Sequence, residues 1–177
     1  FLLPSFYDKN KVRVQLQNQI LQQYNFKVIL DKNLRYGIFP KPHFLSKNTK
    51  IDHDSKIIAN SKNTKIFISS KNFFSFNKIK IKNLIFVETD FRINKLNYNY
   101  FFNLLNNDTS DQNINFIRSK FFYLDKNQDV IFLTEIKKLR YLYQDKFLNR
   151  VNSKFEIFNL PANLSAEHDM LENKIFK

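Results

Sequence analysis

The sequence contains no cysteine and a single glycine, and each shortage removes a class of function. Without cysteine, disulfides, thiol nucleophiles and cysteine-ligated metals are excluded. Without several glycines, the chain cannot form phosphate-cradling loops or the Gly-x-Ser-x-Gly turn of many hydrolases. Three histidines are present, at positions 43, 53 and 168, and they are far apart in the sequence. We therefore expect no catalytic residues, no enzyme activity and no cofactor.

Two acidic groupings are the remaining candidates for chemistry. Asp52-His53-Asp54 places two carboxylates beside an imidazole, a grouping that a metal site could use. A lone histidine between acids in a polar loop is more often solvated, so no metal site is predicted. Glu88 and Asp90 would share one face of a strand, where Arg92 could neutralise them. A structural role for Glu88 and Asp90 is therefore a better interpretation than general acid–base catalysis.

The chain is basic, with 29 Lys and Arg against 16 Asp and Glu and a net charge of +13. Such a charge is typical of proteins that bind nucleic acid or anionic membranes. The lysines are spread along the chain, however, and the abundance of Phe, Ile, Lys, Asn and Tyr matches AT-rich codons. Aromatic runs at Phe73–Phe76 and Phe121–Tyr123 could stack on bases, but core packing is the better interpretation. An RNA- or ribosome-associated structural protein remains the alternative.

The segment from Asp8 to Tyr24 is the best helix candidate. Asp8 is a suitable N-cap, and the apolar residues Val12, Leu16, Ile20 and Tyr24 recur every four positions. The opposite side is rich in glutamine. This pattern predicts an amphipathic helix that lies against a sheet, with a position near a membrane surface as the less favoured alternative.

From Asn25 onward, alternating apolar residues predict strands. Residues 26–30 and 34–38 suggest a hairpin around Asp31-Lys32-Asn33, ended by Pro40 and Pro42. The further predicted elements are short strands at 56–60, 65–69, 78–82, 84–87 and 91–93, a bulge at 88–90, a short helix at 97–105, a hairpin at 117–134, and strands from Leu139 and from Phe155. The predicted fold class is α+β, mostly antiparallel β: an N-terminal amphipathic helix, then a curved β-sheet or groove with one short inserted helix.

In this order the pieces resemble the N-terminal region of the AsmA family. Leu16–Tyr24 resembles the amphipathic helix of that family. Asn25–Val28 followed by Leu34–Pro42, with Phe39-Pro40-Lys41-Pro42, resembles its hairpin and proline motif, and Gly37 lies within it. Ile66–Ile68 and Ile79–Leu84 resemble the strands that follow. The resemblance extends to about Asn163 and rests on order and pattern.

The resemblance implies a membrane-associated architecture in three parts. Residues 1–24 would be a helix following an upstream membrane anchor, residues 25–165 an antiparallel β-groove, and residues 166–177 a poorly ordered tail. The protein would be anchored in the inner membrane on its periplasmic face. Its role would lie in phospholipid transport, outer-membrane assembly and regulation of protein targeting to the membrane.

The expected partners are phospholipid or a membrane surface and other envelope proteins, with nucleic acid the less favoured partner. An apolar groove face could hold acyl chains, while lysines meet lipid headgroups. Alternation along the strands assigns the candidate groove residues as Ile79, Ile81, Phe121, Tyr123, Phe132 and Tyr141.

Overall fold

The computed structural model describes residues 8–53, 56–69, 79–99, 113–143, 148–169 and 174–176. They form one helix and one ten-stranded sheet: α1 (Lys9–Tyr24), β1 (Lys27–Ile29), β2 (Arg35–Gly37), β3 (His43–His53), β4 (Lys56–Ile68), β5 (Ile81–Ile93), β6 (Asn113–Leu124), β7 (Val130–Tyr143), β8 (Leu148–Ile157), β9 (Leu160–Asp169) and β10 (Lys174–Phe176). The strand order is β1-β3-β4-β5-β6-β7-β8-β9-β10, and β2 also pairs with β3. The β5–β6 pair is parallel and the other described pairs are antiparallel. A mostly antiparallel, curved, open sheet after an N-terminal helix confirms the predicted class in this coarse form.

Helix α1 begins and ends where local signals predicted. The Asp8 carboxylate accepts hydrogen bonds from the backbone N–H groups of Asn10 and Lys11, at 2.9 and 3.2 Å. At the other end Asn25 adopts a left-handed conformation, φ 54°, and donates its N–H to the Leu21 carbonyl. The apolar stripe Val12, Leu16, Ile20 and Tyr24 is buried, as predicted.

The predicted hairpin between residues 26–30 and 34–38 is wrong. Strands β1 and β2 do not pair with each other; Val28 pairs with Ile51, and Tyr36 pairs with Phe44, so β3 is the partner of both. Between them, Asp31 donates its N–H to the Ser46 hydroxyl at 2.9 Å. The error arose because alternation did not predict β3, whose burial pattern is broken in its middle.

A row of irregular positions crosses the sheet and explains that break. Asn48, Glu88 and Arg118, in β3, β5 and β6, all have positive φ, between 48° and 54°. Asn48 and Glu88 both lie opposite Lys62 of β4, because Lys62 is flanked by the registered pairs of Ser61 and Asn63. Positive φ at these positions shifts the side-chain alternation without inserting a residue. The predicted bulge at 88–90 is therefore wrong, because the β4–β5 register is continuous through Glu88, with Ser61 opposite Thr89 and Asn63 opposite Val87.

Small hydroxyl side chains are buried beside this row. The Thr89 hydroxyl donates to the Ser61 hydroxyl at 3.0 Å, and the Thr89 N–H donates to the Ser119 hydroxyl at 3.3 Å. Each of these residues is almost fully buried. Because they bond to one another, these polar groups are buried without an unsatisfied hydrogen bond.

The strands are longer than their sequence windows indicated. β4 joins the predicted strands 56–60 and 65–69, and β7 continues through Leu139 to Tyr143. The β6–β7 hairpin is confirmed, since Asp125 Oδ1 accepts from Asn127 N and Asp129 N in the turn. β9 runs past the boundary predicted at residue 165, to Asp169.

Two predictions fall largely outside the described residues. These are the inserted helix 97–105, which is described only to Asn99, and the aromatic run Phe73–Phe76. No helix in the described part of the chain is both long and apolar enough to cross a membrane.

Gly37 is required by a close approach within the β2–β3 pair. A Cβ at this position would lie 2.6 Å from Cε1 of its cross-strand partner His43. That ring is held in place, because its Nδ1 bonds the Lys41 carbonyl at 2.8 Å and it contacts the Phe67 ring. The absence of a side chain at Gly37 therefore allows the His43 ring to pack directly against the backbone of β2.

Candidate functional site

The face of the sheet that packs against α1, here called the helix-side face, continues beyond the helix. The helix makes its main contacts with β1 and β5, so the helix-side face of β6–β9 lacks that cover. Registered pairs place on it residues that are apolar or small hydroxyl-bearing: Ile114, Phe116, Ser119 and Phe121 of β6; Tyr141, Leu139, Ile136 and Thr134 of β7; Val151, Ser153, Phe155 and Ile157 of β8; Ala166, Leu164, Ala162 and Leu160 of β9. None of these residues carries a charge.

A cavity of about 300 Å³ lies over this face. Side chains of β6–β9 line most of it, including Phe121, Phe155 and Leu164, and Phe26 and Phe91 reach it from the helix-covered side. Thr134 and Ser153 are the only polar residues among those that line it. The volume is at the lower end of the roughly 300–1,000 Å³ of ligand sites. Such a lining can bind an apolar group but offers no charge to bind a polar one.

The cavity is open to solvent on the β9 side. Leu164 is 42% exposed and Leu160, at the start of β9, is 70% exposed. Under the helix, by contrast, Phe44, Ile66 and Phe86 are 0% exposed. The same kind of side chain is thus sealed on one part of the face and accessible on the other.

A chain of aromatic rings joins the helix to the cavity. Phe26 lies between Tyr24 and Phe86, with ring centroids 5.9 and 6.1 Å away. Phe86 stacks on Phe116 at 5.1 Å. Phe91 then contacts both Phe116, at 5.1 Å, and Phe121, at 4.6 Å. Edge and tilted ring contacts of this kind stabilise the wall of the cavity.

The six residues predicted for a groove are distributed over three places. Phe121 lines the cavity. Ile79, Ile81 and Tyr141 lie in the core cluster, 4%, 0% and 5% exposed. Phe132 contacts the Phe158 ring at 5.4 Å, and Tyr123 is exposed beside Phe132 in the β6–β7 pair, so these two lie at the end of the sheet.

Sequence reasoning missed most of the cavity lining, including Phe155, Ile157 and Leu164. The alternation Val151, Ser153, Phe155, Ile157 in β8 was the available signal. The sequence prediction places a strand from Phe155 but assigns none of its residues to the groove.

Ion pairs lie on the outer face, away from the cavity. Lys62 Nζ and Arg118 bind the two oxygens of Glu88 at 2.9 and 3.1 Å. The hydrogen bond and charge of Lys62, with a smaller contribution from Arg118, lower the pKa of Glu88. Glu135 bonds Lys120 at 3.0 Å and raises the pKa of that lysine. The two faces of the sheet therefore differ, because the outer face carries the charged side chains and the helix-side face carries mainly apolar ones.

A basic cleft is also present on the outer face of β7–β9. Lys138, Arg140 and Lys154 line it together with Asn152, Asn163 and Ser165, and it also reaches Ser153 and Leu164. Lys138 and Lys154 are directly opposite each other in the β7–β8 ladder. Like charges in that position repel, so an anion bound between them would relieve the repulsion.

Within the described residues, no three His, Asp or Glu side chains are close enough together to hold a metal ion. Asp52 instead forms an ion pair with Lys27 at 3.7 Å, and Asp54 lies outside the described residues. No protein-family model matches the chain, and no curated protein matches it by sequence.

Proposed function

We propose that this protein is a non-enzymatic lipid-binding module of AsmA-like type that holds an acyl chain of a phospholipid against β6–β9. One observation carries the proposal: the helix-side face continues, uncharged, beyond the helix and forms an accessible apolar cavity. An exposed apolar patch of this kind is unfavourable in water unless something covers it.

The shape of the site favours a long, thin ligand. Most of its lining residues come from β6, β7, β8 and β9 in succession, and Phe26, Ile51, Ile58 and Phe91 complete the lining from the other side. Strands are spaced about 4.8 Å apart, so the lining extends roughly 14 Å across the sheet. An acyl chain can follow that line, whereas its headgroup would stay in water because the cavity offers it only the hydroxyls of Thr134 and Ser153.

The AsmA-like assignment is supported by the order of the elements, a capped helix followed by long curved strands. On this proposal the protein takes part in phospholipid transport and outer-membrane assembly, and in regulation of protein targeting, from the periplasmic face of the inner membrane. Its groove would shield an acyl chain during transfer, and other envelope proteins would be its partners.

The test uses the full chain purified from membranes, with bound lipid extracted and identified by mass spectrometry. We expect phospholipid in the wild-type protein and at least about tenfold less in Phe155→Glu, because a carboxylate would have to be desolvated beside the acyl chain. Phe122→Glu is the matched control, since Phe122 is also half-buried but lies on the outer face of β6. The control should retain its lipid.

Absence of acyl lipid from the wild-type protein, at a protein concentration that recovers lipid from a known carrier, would overturn the proposal. Equal loss of lipid in both variants, when both are folded, would also contradict it, because lipid binding would then not depend on the helix-side face.

A second candidate function, RNA binding, is favoured by the basic cleft of Lys138, Arg140 and Lys154. Phosphate groups would separate the opposed lysines. This candidate predicts an RNA affinity that falls steeply with salt and is lost in Lys154→Glu. A filter-binding titration at two ionic strengths separates the two functions, because lipid retention in the cavity should not depend on Lys154.

A further inference from the structure

Exposed hydrophobic side chains lie at one end of the sheet, here called the hairpin end. It comprises the end of β5, the β6–β7 turn and the β8–β9 turn, which adjoin through the pairs Ile93–Tyr123, Tyr123–Phe132 and Ile157–Leu160. The exposed large hydrophobic residues at this end are Leu96, Tyr98, Tyr123, Val130, Ile131, Phe158 and Leu160. Leu96 and Phe158 are 85% and 78% exposed, respectively.

The hairpin end is continuous with the cavity. Phe121 and Ile157 line the cavity; Tyr123 is the next helix-side position of β6 towards the hairpin end, and Leu160 lies directly opposite Ile157. Phe132 and Phe158 make an edge-to-face contact at 5.4 Å just beyond them. An apolar path therefore leads from the exposed end into the interior of the groove.

Phe158 occupies its position at a conformational cost. It has φ 51° and Asn159 has φ 62°, so the two-residue turn is left-handed at both positions. Asn or Gly normally occupies such turns, because bulky residues are strained there. A phenylalanine that is strained, exposed and buries little area in the fold indicates a role outside the folding of this chain.

Charges around the hairpin end suit an anionic lipid surface. Arg92, Lys95 and Lys126 are exposed there, against Asp125 and Asp129. Asp125 is already engaged by the backbone of its own turn. Basic residues next to exposed aromatic and aliphatic side chains are typical of segments at the membrane interface, where the rings enter the headgroup layer and the cations meet phosphate.

The hydrophobic side chains project from separate turns rather than from one flat strand face. Leu96 lies in the turn after β5 and Phe158 in the turn between β8 and β9. Single side chains on turns can enter a fluid lipid layer independently. A second copy of the chain would instead require a complementary surface.

We infer that the hairpin end docks on an anionic lipid bilayer, with Phe158 and Leu96 inserted, and is the mouth through which an acyl chain enters the cavity. The inference rests on the proposed function for the entry of lipid, but the docking step can be measured by itself. It specifies which end of the groove meets the membrane that supplies the lipid.

The experiment measures binding of the full chain to vesicles of phosphatidylcholine with and without phosphatidylglycerol, by flotation. The test variant is Phe158→Asn, because asparagine adopts the left-handed turn readily. The matched control is Phe39→Asn, since Phe39 is 89% exposed in the turn before β3, at the opposite end of the sheet. Neither ring is needed for the core, so both variants should fold.

We expect binding to the anionic vesicles, weakened roughly tenfold or more in Phe158→Asn and changed less than about twofold in Phe39→Asn. Equal binding of the two variants, or absence of wild-type binding, would overturn the docking inference. So would sedimentation showing that Phe158→Asn abolishes a dimer while vesicle binding is unchanged.

A second readout separates this inference from the proposed function. Uptake of a fluorescent phospholipid from vesicles should slow in Phe158→Asn, while Phe155→Glu should dock normally but take up no lipid. Normal docking of wild type without any uptake would contradict the proposed function alone. Uptake at the wild-type rate in Phe158→Asn would contradict only the inference that the acyl chain enters the cavity at the hairpin end.

Discussion

The two parts of the helix-side face have the same kind of side chains but different burial. Under α1, residues of β5 such as Ile81, Leu84 and Phe86 are completely buried. On β8, Phe155 and Ile157 line a cavity and remain partly exposed. The difference does not arise from the kind of side chain, because both parts of the face carry apolar residues. It arises from what covers them.

The size of the helix shows why the cover is incomplete. A helix of 16 residues is roughly 24 Å long and about 10 Å wide. The seven strands β3–β9 each have ten or more residues, and they present a face of roughly 33 by 29 Å. One helix covers about a quarter of that face, whatever its direction. Among the residues that the structure describes, the open apolar region therefore follows from the ratio of one helix to seven long strands.

The largest expected effect compares core residues of the two parts. Phe86→Ala should lower the free energy of unfolding by about 3–5 kcal/mol, because it leaves a cavity that the sealed core cannot fill. Phe155→Ala should cost only about 1–2 kcal/mol, since the ring is already partly solvated and the space opens onto an existing cavity. Urea titrations of both variants measure the difference. Equal losses would show that the β8 side is as closely packed as the β5 side.

A smaller loss of stability is expected when helix α1, which covers β5, is destabilised. Asp8→Ala removes the N-cap bonds to Asn10 and Lys11 and should cost about 1 kcal/mol. Hydrogen exchange should increase in the first turn of α1 and over the β5 residues beneath the helix, with little change in β8. Lys9→Ala is the control, an exposed neighbour whose replacement should change stability by less than about 0.5 kcal/mol. Faster exchange throughout β6–β9 would contradict the separation of the two parts.

The smallest effect concerns Glu88, which lies on the outer face between the two parts. Its pKa is lowered in the folded protein from the ordinary value of 4.5. Its ion pairs therefore contribute stability above that value, and this contribution is lost as the pH falls through the folded-state pKa. Wild-type protein should lose more stability than Glu88→Gln between roughly pH 5 and pH 3. Thermal unfolding at several pH values measures this, and parallel curves would show that the ion pairs contribute nothing.

Local signals in the sequence predicted the elements whose causes are local. Asp8 and the stripe Val12 to Tyr24 were enough to place α1, and Asp125 with its alternating flanks was enough for the β6–β7 hairpin. The pairing of β1 and β2 with β3 could not be predicted, because positive φ at Asn48 shifts the alternation within β3. The turn at Phe158-Asn159 was missed because it lacks glycine.

The sequence predicts that the candidate site is an apolar sheet face, but it does not predict which part of that face is accessible. Alternation predicted apolar faces, and of the six residues that it assigned to a groove Phe121 is the one that lines the cavity. It could not separate Ile81, which the helix covers, from Phe155, which it does not. That distinction depends on where α1 lies on the sheet, which no window of neighbouring residues contains.

The most direct test concerns the helix-side face of β6–β9, which α1 does not cover, and it uses a phospholipid with a photoreactive group at the end of its acyl chain. After irradiation of the full chain with this lipid, mass spectrometry locates the adducts residue by residue. The account predicts adducts on Phe121, Phe155 and Leu164, which line the cavity, and none on Phe122 or Leu133 of the outer face. Adducts on the outer face, or none on the cavity residues despite bound lipid, would contradict it.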